Sequence, residues 1–233
     1  MTATNKIERD FDHIATLESA AGHSLSAAER WLLAQAPVGP GLAADLGAGT
    51  GAFSHALTAR GLDVVALDVS AGMIAAARRT TEPLMMVRAD VTRVPLRRGE
   101  LRCVAAVAVL HHLPDAVTAL HDWAELLSPG GVLLVQDVLA RPGISNLPTN
   151  VLALLAAAPT RLRWLISRRH RELREAYAAH GGGERYLTMT DARTLARDAG
   201  LLGAGVREHL GWRYSLVWRK LPSPDTWLGG RNY

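Results

Sequence analysis

The residues best suited to chemistry sit at the ends of short apolar runs. The first group is Asp45-Leu46-Gly47-Ala48-Gly49-Thr50-Gly51. Its alternating glycines let a strand turn sharply into a helix and let a ligand lie against backbone instead of Cβ atoms. A dinucleotide site spaces its glycines as GxGxxG and seats a pyrophosphate over the helix N-terminus. Here the third glycine arrives one residue early, and Asp45 precedes the turn. A carboxylate at that point repels a pyrophosphate and suits a ligand that carries an ammonium group. Asp68 ends the next apolar run, 17 residues beyond Gly51, where a carboxylate can accept from both hydroxyls of a ribose. Asp90 ends a third run, Met85 to Ala89. Its neighbour Val91 offers a backbone amide and apolar surface, which together suit an adenine ring and its exocyclic amine. Glycine turn, ribose acid and adenine acid at three successive run ends describe one adenosine pocket.

A fourth run, Cys103 to Val109, leads into His111 and His112. A neutral imidazole takes a hydroxyl proton near physiological pH, so either histidine is a candidate general base. Alternation along a strand end turns only one of the two toward a cleft, which favours His111. The pair reads equally well as residues that only shape the cleft. A metal site built from this pair with Asp115 and Asp137 is disfavoured, because the spacing supplies no clear carboxylate cluster.

The elements that must position these groups follow from hydrophobic patterning. Strands are predicted at Leu42 to Leu46, Asp63 to Leu67, Leu84 to Ala89, Cys103 to Val109 and Val132 to Asp137, with amphipathic helices between them. This is the alternation of an α/β fold with a parallel sheet. Helices are predicted over residues 4–20, from a capping box at Ser26 and Glu29, over Asp115 to Leu127, and from Thr188 with Asp191 in its first turn. Gly205 to Leu210 and Tyr214 to Trp218 predict a closing antiparallel hairpin. The 233 residues, 48% hydrophobic and 21% charged, are ordinary for one globular domain. No apolar stretch approaches the roughly 20 residues of a membrane span, the start is not a secretory signal, and a lone Cys103 fits a reducing compartment. A cytoplasmic protein with no membrane partner is the expectation.

In order and spacing these motifs resemble the class I S-adenosylmethionine-dependent methyltransferases, in particular their small-molecule branch. The resemblance covers roughly Phe11 to Asp137 and Thr188 to Lys220. Besides the three acid-bearing motifs it rests on Val69-Ser70-Ala71-Gly72-Met73, Val94-Pro95-Leu96, Leu110-His111-His112-Leu113-Pro114-Asp115 and Leu127-Ser128-Pro129-Gly130-Gly131. It implies a Rossmann-like doubly wound sheet, mostly parallel with an antiparallel C-terminal hairpin strand, plus a helical lid insertion, and S-adenosylmethionine as cofactor. It further implies that Gly47, Ala48, Gly49 and Gly51 cradle the methionine part with Asp45 near its ammonium, directly or through water. Asp68 would hold the ribose, Val69 or Met73 would lie against the adenine, and Ala89, Asp90 and Val91 would line its far edge. Ala108 stands where such enzymes often carry a small polar residue and where backbone carbonyls contact the methionine part. Arg102-Cys103 replaces the Phe-Asp often found there.

Substrate identity is expected in the segment outside the resemblance, residues 140–187, read as a lid over the substrate. Val151 to Leu155 supply an apolar face, and a helix from about Thr160 to Ala179 carries Leu162, Leu165, Ile166 and Leu173 among six arginines. Gly181-Gly182-Gly183 form a hinge. An alternative for that helix is a packing or homodimer surface. Charge is uneven: residues 1–139 carry 11 basic against 15 acidic side chains, and residues 140–233 carry 15 against 7. The basic half keeps an RNA or DNA substrate as an alternative. Against it, the arginines flank an apolar stripe instead of forming one groove, and His111-His112 stands where amino-methylating DNA enzymes carry an Asn/Asp-Pro-Pro-aromatic motif. Methyl transfer to an oxygen or nitrogen of a small biosynthetic intermediate is the favoured reading. A protein that keeps the cofactor pocket for another reaction, such as a cyclisation, is the third.

Overall fold

A computed structural model describes residues 9–15, 25–79, 83–140, 185–209 and 213–222. The expected lid helix, the Val151 to Leu155 face and the glycine hinge lie outside the described residues.

Seven strands form one sheet in the order β3-β2-β1-β4-β5-β7-β6. They are β1 (Leu42–Leu46), β2 (Asp63–Asp68), β3 (Met85–Arg88), β4 (Leu101–Val107), β5 (Leu127–Val138), β6 (Gly205–His209) and β7 (Arg213–Arg219). The first five pair in parallel, and β7 runs antiparallel between β5 and β6. Helices α1 (Ala27–Ala34), α2 (Ala52–Thr58), α3 (Ala71–Ala77), α4 (Ala116–Glu125) and α5 (Met189–Asp198) cover the faces, and residues 9–15 add a further helical stretch. The chain builds β1, β2 and β3 outward in one direction and then returns to place β4 on the other side of β1. That reversal opens a crevice beyond the C-terminal ends of β1 and β4, where open α/β sheets bind ligands.

The sheet is buried on both faces, which is why its strands read as continuous apolar runs and not as alternations. On one face Ala43, Cys103, Ala105 and Leu134 pack with Leu32 of α1 and Phe53 and Leu57 of α2. On the other, Val104, Ala106, Leu133 and Val135 pack with Leu120 and Trp123 of α4 and Ala196 of α5. The predicted capping box at Ser26 and Glu29 forms, and a second one forms at the predicted helix start Thr188. Ser26 Oγ accepts from the Glu29 N–H and the Glu29 carboxylate accepts from the Ser26 N–H; Thr188 and Asp191 repeat the arrangement.

β4 starts at Leu101 and stops at Val107, two residues before the predicted Val109. The cause is Ala108, whose φ of 57° places it in the left-handed region. A non-glycine residue there is strained and ends extended geometry. The expectation that His111 and His112 extend a strand end is therefore corrected: they lie on a 3-10 turn, Leu110–His112. Strand alternation does not decide which of the two faces the cleft.

Candidate active site

The glycine turn is held against β2. Gly47 N–H and Ala48 N–H both donate to the Leu67 carbonyl, at 2.8 and 2.9 Å. All three glycines have positive φ, but for different neighbours. A Cβ on Gly47 would come within 2.4 Å of Val109, and one on Gly51 within 2.5 Å of Leu84. Those two glycines answer to the protein's own packing. A Cβ on Gly49 meets only the Met73 sulfur, at 4.0 Å, so Gly49 faces open space bounded by a thioether. The space has bare backbone on one side and an apolar wall on the other.

Asp68 is buried and sits across that space. Its Oδ2 accepts from Gly49 N–H at 2.8 Å and its Oδ1 from Ser70 N–H at 2.9 Å. Burial raises its carboxyl above the ordinary range, partly offset by those two N–H groups. Asp12, from the N-terminal helical stretch, accepts from Ser70 Oγ at 2.6 Å and Gly72 N–H at 2.7 Å, while Ile14 and Ala15 pack on Met73. Phe11 meets His112 edge to face with centroids 5.3 Å apart. The N-terminal stretch thus clasps the start of α3 and reaches the histidine pair. Asp90 Oδ1 accepts from both Thr92 N–H and Thr92 Oγ, at 2.9 and 2.8 Å, which fixes its carboxylate beside Val91.

Asp45 is 1% exposed and accepts from Ser54 Oγ at 2.6 Å. Burial, with a smaller push from Asp68, raises its carboxyl to about 7. Protons then bind the folded state more tightly than the unfolded one between the ordinary carboxylate range and pH 7. Stability falls as pH rises through that window, because the folded chain must then hold a buried charge. Asp45→Asn should reduce this slope: in thermal melts from pH 4 to pH 8 the wild type should lose more stability than the variant, which keeps the smaller share from Asp68. Parallel slopes for both proteins would place the buried proton elsewhere.

At the other side of the crevice, Asp137 ends β5 at 1% exposure. One of its oxygens lies 2.5 Å from His111 Nδ1, and the other accepts from the His111 backbone N–H at 2.9 Å. A single carboxylate therefore holds the ring and the backbone of the same histidine. A carboxylate at Nδ1 selects the tautomer with the proton there and leaves the lone pair on Nε2. The His112 ring lies tilted against His111 with centroids 3.8 Å apart, and Tyr186 stacks on His111 at 5.6 Å. Arg185 N–H donates to the His111 carbonyl at 3.2 Å. A cavity of about 320 Å³ opens beside this group, lined by His111, Asp137, Arg185, Tyr186, Leu195 and Tyr214. Burial and the charge of Asp137 hold the Tyr214 hydroxyl protonated. Among the described residues no group of three or more His, Cys, Asp or Glu is arranged to hold a metal.

The structure brings together at one sheet edge Asp45, Gly49, Asp68, Ala108 and His111, all expected from sequence. Asp137 stands one residue from the end of β5, much as Asp68 ends β2, and an acid in that position is the signal that marks a partner for His111. Ser54, Asp12 and Tyr186 carry no motif that marks them.

The fold and this crevice are similar to those of the class I S-adenosylmethionine-dependent methyltransferases. Residues 44–135 match the family described as a methyltransferase domain. The chain is 37% identical over 98 residues to a demethylmenaquinone methyltransferase of Beutenbergia cavernae, covering 42% of this chain and 41% of that protein. It is 44% identical over 117 residues to a trans-aconitate 2-methyltransferase of Methylobacterium radiotolerans, covering 48% and 44%. The chain spans about four-tenths of the length of these curated relatives. Among solved structures, phosphoethanolamine N-methyltransferase 2 of Haemonchus contortus, in complex with phosphomonomethylethanolamine and S-adenosylhomocysteine, aligns with a TM-score of 0.67 at 12% identity, covering 96% of this chain and 61% of that one. The 4+2 cyclase SpnF aligns at 0.58 and 19%, covering 96% and 98%. No described helix is long and apolar enough to cross a membrane.

Proposed function

We propose that this protein transfers a methyl group from S-adenosylmethionine to an oxygen or nitrogen of a small molecule, with His111 as the general base. The observation that carries the reading is the His111–Asp137 pair, 2.5 Å apart, standing beyond β4 on the same crevice that Gly49 and Asp68 line. Bound there, the cofactor supplies an activated methyl group that needs only an aligned nucleophile. The chain supplies the rest. Asp68 orients the ribose, Gly49 and Met73 bound the cradle, and Asp137 fixes the His111 ring so that Nε2 takes the acceptor's proton. The demethylmenaquinone and trans-aconitate methyltransferases act, by name, on small molecules, which supports that substrate class over nucleic acid.

Asp68→Ala should weaken cofactor binding by about 1.5 to 3 kcal/mol, the range for hydrogen bonds to a charged group. Calorimetry with S-adenosylhomocysteine measures it, and wild-type affinity in the variant would remove Asp68 from the site. The activity itself is tested by transfer of a tritiated methyl group to a panel of hydroxylated and amine metabolites. Cofactor binding with no transfer to any of them would favour the non-methylating alternative.

A further inference from the structure

Asp137 and Tyr214 stand directly opposite each other in the β5–β7 ladder, so their side chains leave the same face of the sheet. Asp137 holds His111 on that face. Tyr214 is 1% exposed, packs against Ala192 of α5, and lines the cavity beside His111. The two rings therefore flank one carboxylate at the floor of one cavity. The Tyr214 hydroxyl makes no hydrogen bond among the described residues. It is not sealed away: the buried side-chain atoms without a partner among those residues are Gln136 Oε1 and Arg213 Nη1, and the phenol oxygen meets the open cavity. A buried tyrosine ordinarily finds a partner for its hydroxyl, and one that does not needs a reason. Burial and the Asp137 charge keep the hydroxyl protonated, so it faces the cavity as a donor.

The rest of the cavity limits what that donor can meet. At about 320 Å³ it lies at the lower end of small-molecule pockets, which suits one compact ring system. Leu110, Leu113, Val117, Leu187 and Leu195 supply apolar walls. Asp115, Asp191, Asp198 and Arg185 are exposed and form the mouth, so a ligand enters from solvent. With Asp137 the lining carries four carboxylates against one guanidinium, a balance that repels an anion. It offers a cation little in return, because Asp115 is bonded to Thr118, Asp191 to Thr188 and Asp137 to His111.

We propose that Tyr214 is a specificity-determining residue whose hydroxyl donates to an oxygen of the methyl acceptor, and that the acceptor is an uncharged ring compound carrying that oxygen beside the hydroxyl to be methylated. His111 faces the hydroxyl that loses its proton, and Tyr214 holds the neighbouring oxygen. The first oxygen forms its bond to the methyl carbon as the carbon–sulfur bond breaks, its proton goes to His111, and Tyr214 keeps its own. A site built to give one hydrogen bond rejects the analogue that lacks the partner atom, because the donor is then left buried and unpaired. This inference rests on the methyltransferase reading and adds the substrate class to it.

Two measurements test it. The first needs no ligand: Tyr214→Phe keeps the ring and breaks no hydrogen bond, so the melting temperature should stay within about 1 °C of the wild type. A fall of several degrees marks a hydroxyl kept for structure and overturns the proposal. The second is calorimetry on protein saturated with S-adenosylhomocysteine, using a naphthalene diol with its hydroxyls on neighbouring carbons, the matching naphthol with one hydroxyl, and the matching hydroxynaphthoate with a carboxylate in place of the second. The diol should bind about tenfold more tightly than the naphthol to the wild type, and the hydroxynaphthoate more weakly than the diol. Tyr214→Phe should erase the preference for the diol while leaving naphthol binding unchanged. Equal binding of diol and naphthol, a preference that survives in Tyr214→Phe, tighter binding of the carboxylate, or binding of none of the three overturns the proposal while leaving the methyltransferase reading intact. Failure to bind S-adenosylhomocysteine at all defeats that reading and this inference with it.

Discussion

Gly49→Val should abolish S-adenosylmethionine binding in a protein that still folds. The Cβ of residue 49 points into space where only the Met73 sulfur approaches, at 4.0 Å, so the new side chain starts without a close neighbour in the protein. It extends into the volume proposed for the cofactor. The backbone cost is that of a β-branched residue at a φ of 55°, roughly 1–2 kcal/mol, which an otherwise intact core of this size absorbs. Gly47→Val and Gly51→Val separate the two effects. Their side chains strike Val109 and Leu84, and they should lower the melting temperature far more than Gly49→Val does. Calorimetry with S-adenosylhomocysteine, read beside thermal melts of all three variants, checks both halves. Wild-type affinity in Gly49→Val would make the cleft assignment wrong.

His111→Ala should reduce methyl transfer by about 10²–10⁴-fold, the usual contribution of a positioned general base, while leaving cofactor affinity unchanged. His111 lies beyond β4, whereas the contacts proposed for the cofactor come from the turn after β1 and from the ends of β2 and β3. Asp137→Asn should lose a smaller part of the rate. The amide keeps one acceptor oxygen but not the charge that stabilises the imidazolium formed when His111 takes a proton. A substrate that ionises below the assay pH needs no base and should be methylated equally by wild type and His111→Ala. Equal loss on ionised and un-ionised acceptors would make His111 a residue that shapes the cleft.

The sequence exposed the cofactor half of this crevice more fully than the acceptor half. Asp45, Gly49, Asp68 and Asp90 each end a run of apolar residues, and parallel strands buried on both faces write such runs plainly. β1 falls where its run predicts. β4 ends two residues earlier than predicted because φ at Ala108 is set by packing and by the Gln136 carbonyl, and an alanine in a run of alanines and valines carries no sign of it. The same blindness hid the setting of the histidines, since a three-residue 3-10 turn has no period. Asp12 and Tyr186 come to the crevice from distant parts of the chain, and only tertiary structure shows which strand end each one meets. Ser54 follows Asp45 by nine residues, across a turn whose pitch the glycines alone do not fix.

The left-handed backbone at position 108 also limits how this enzyme can change over evolutionary time. A residue held at a φ of 57° is relieved by glycine and tolerated as asparagine or aspartate, whose short polar side chains visit that region, but a β-branched or bulky side chain is strongly opposed. Position 108 can therefore vary in hydrogen-bonding character and hardly in size. Room for a bulkier ligand has to come from elsewhere in the crevice, at residues such as Tyr186, while the junction between β4 and the histidines stays nearly constant in volume.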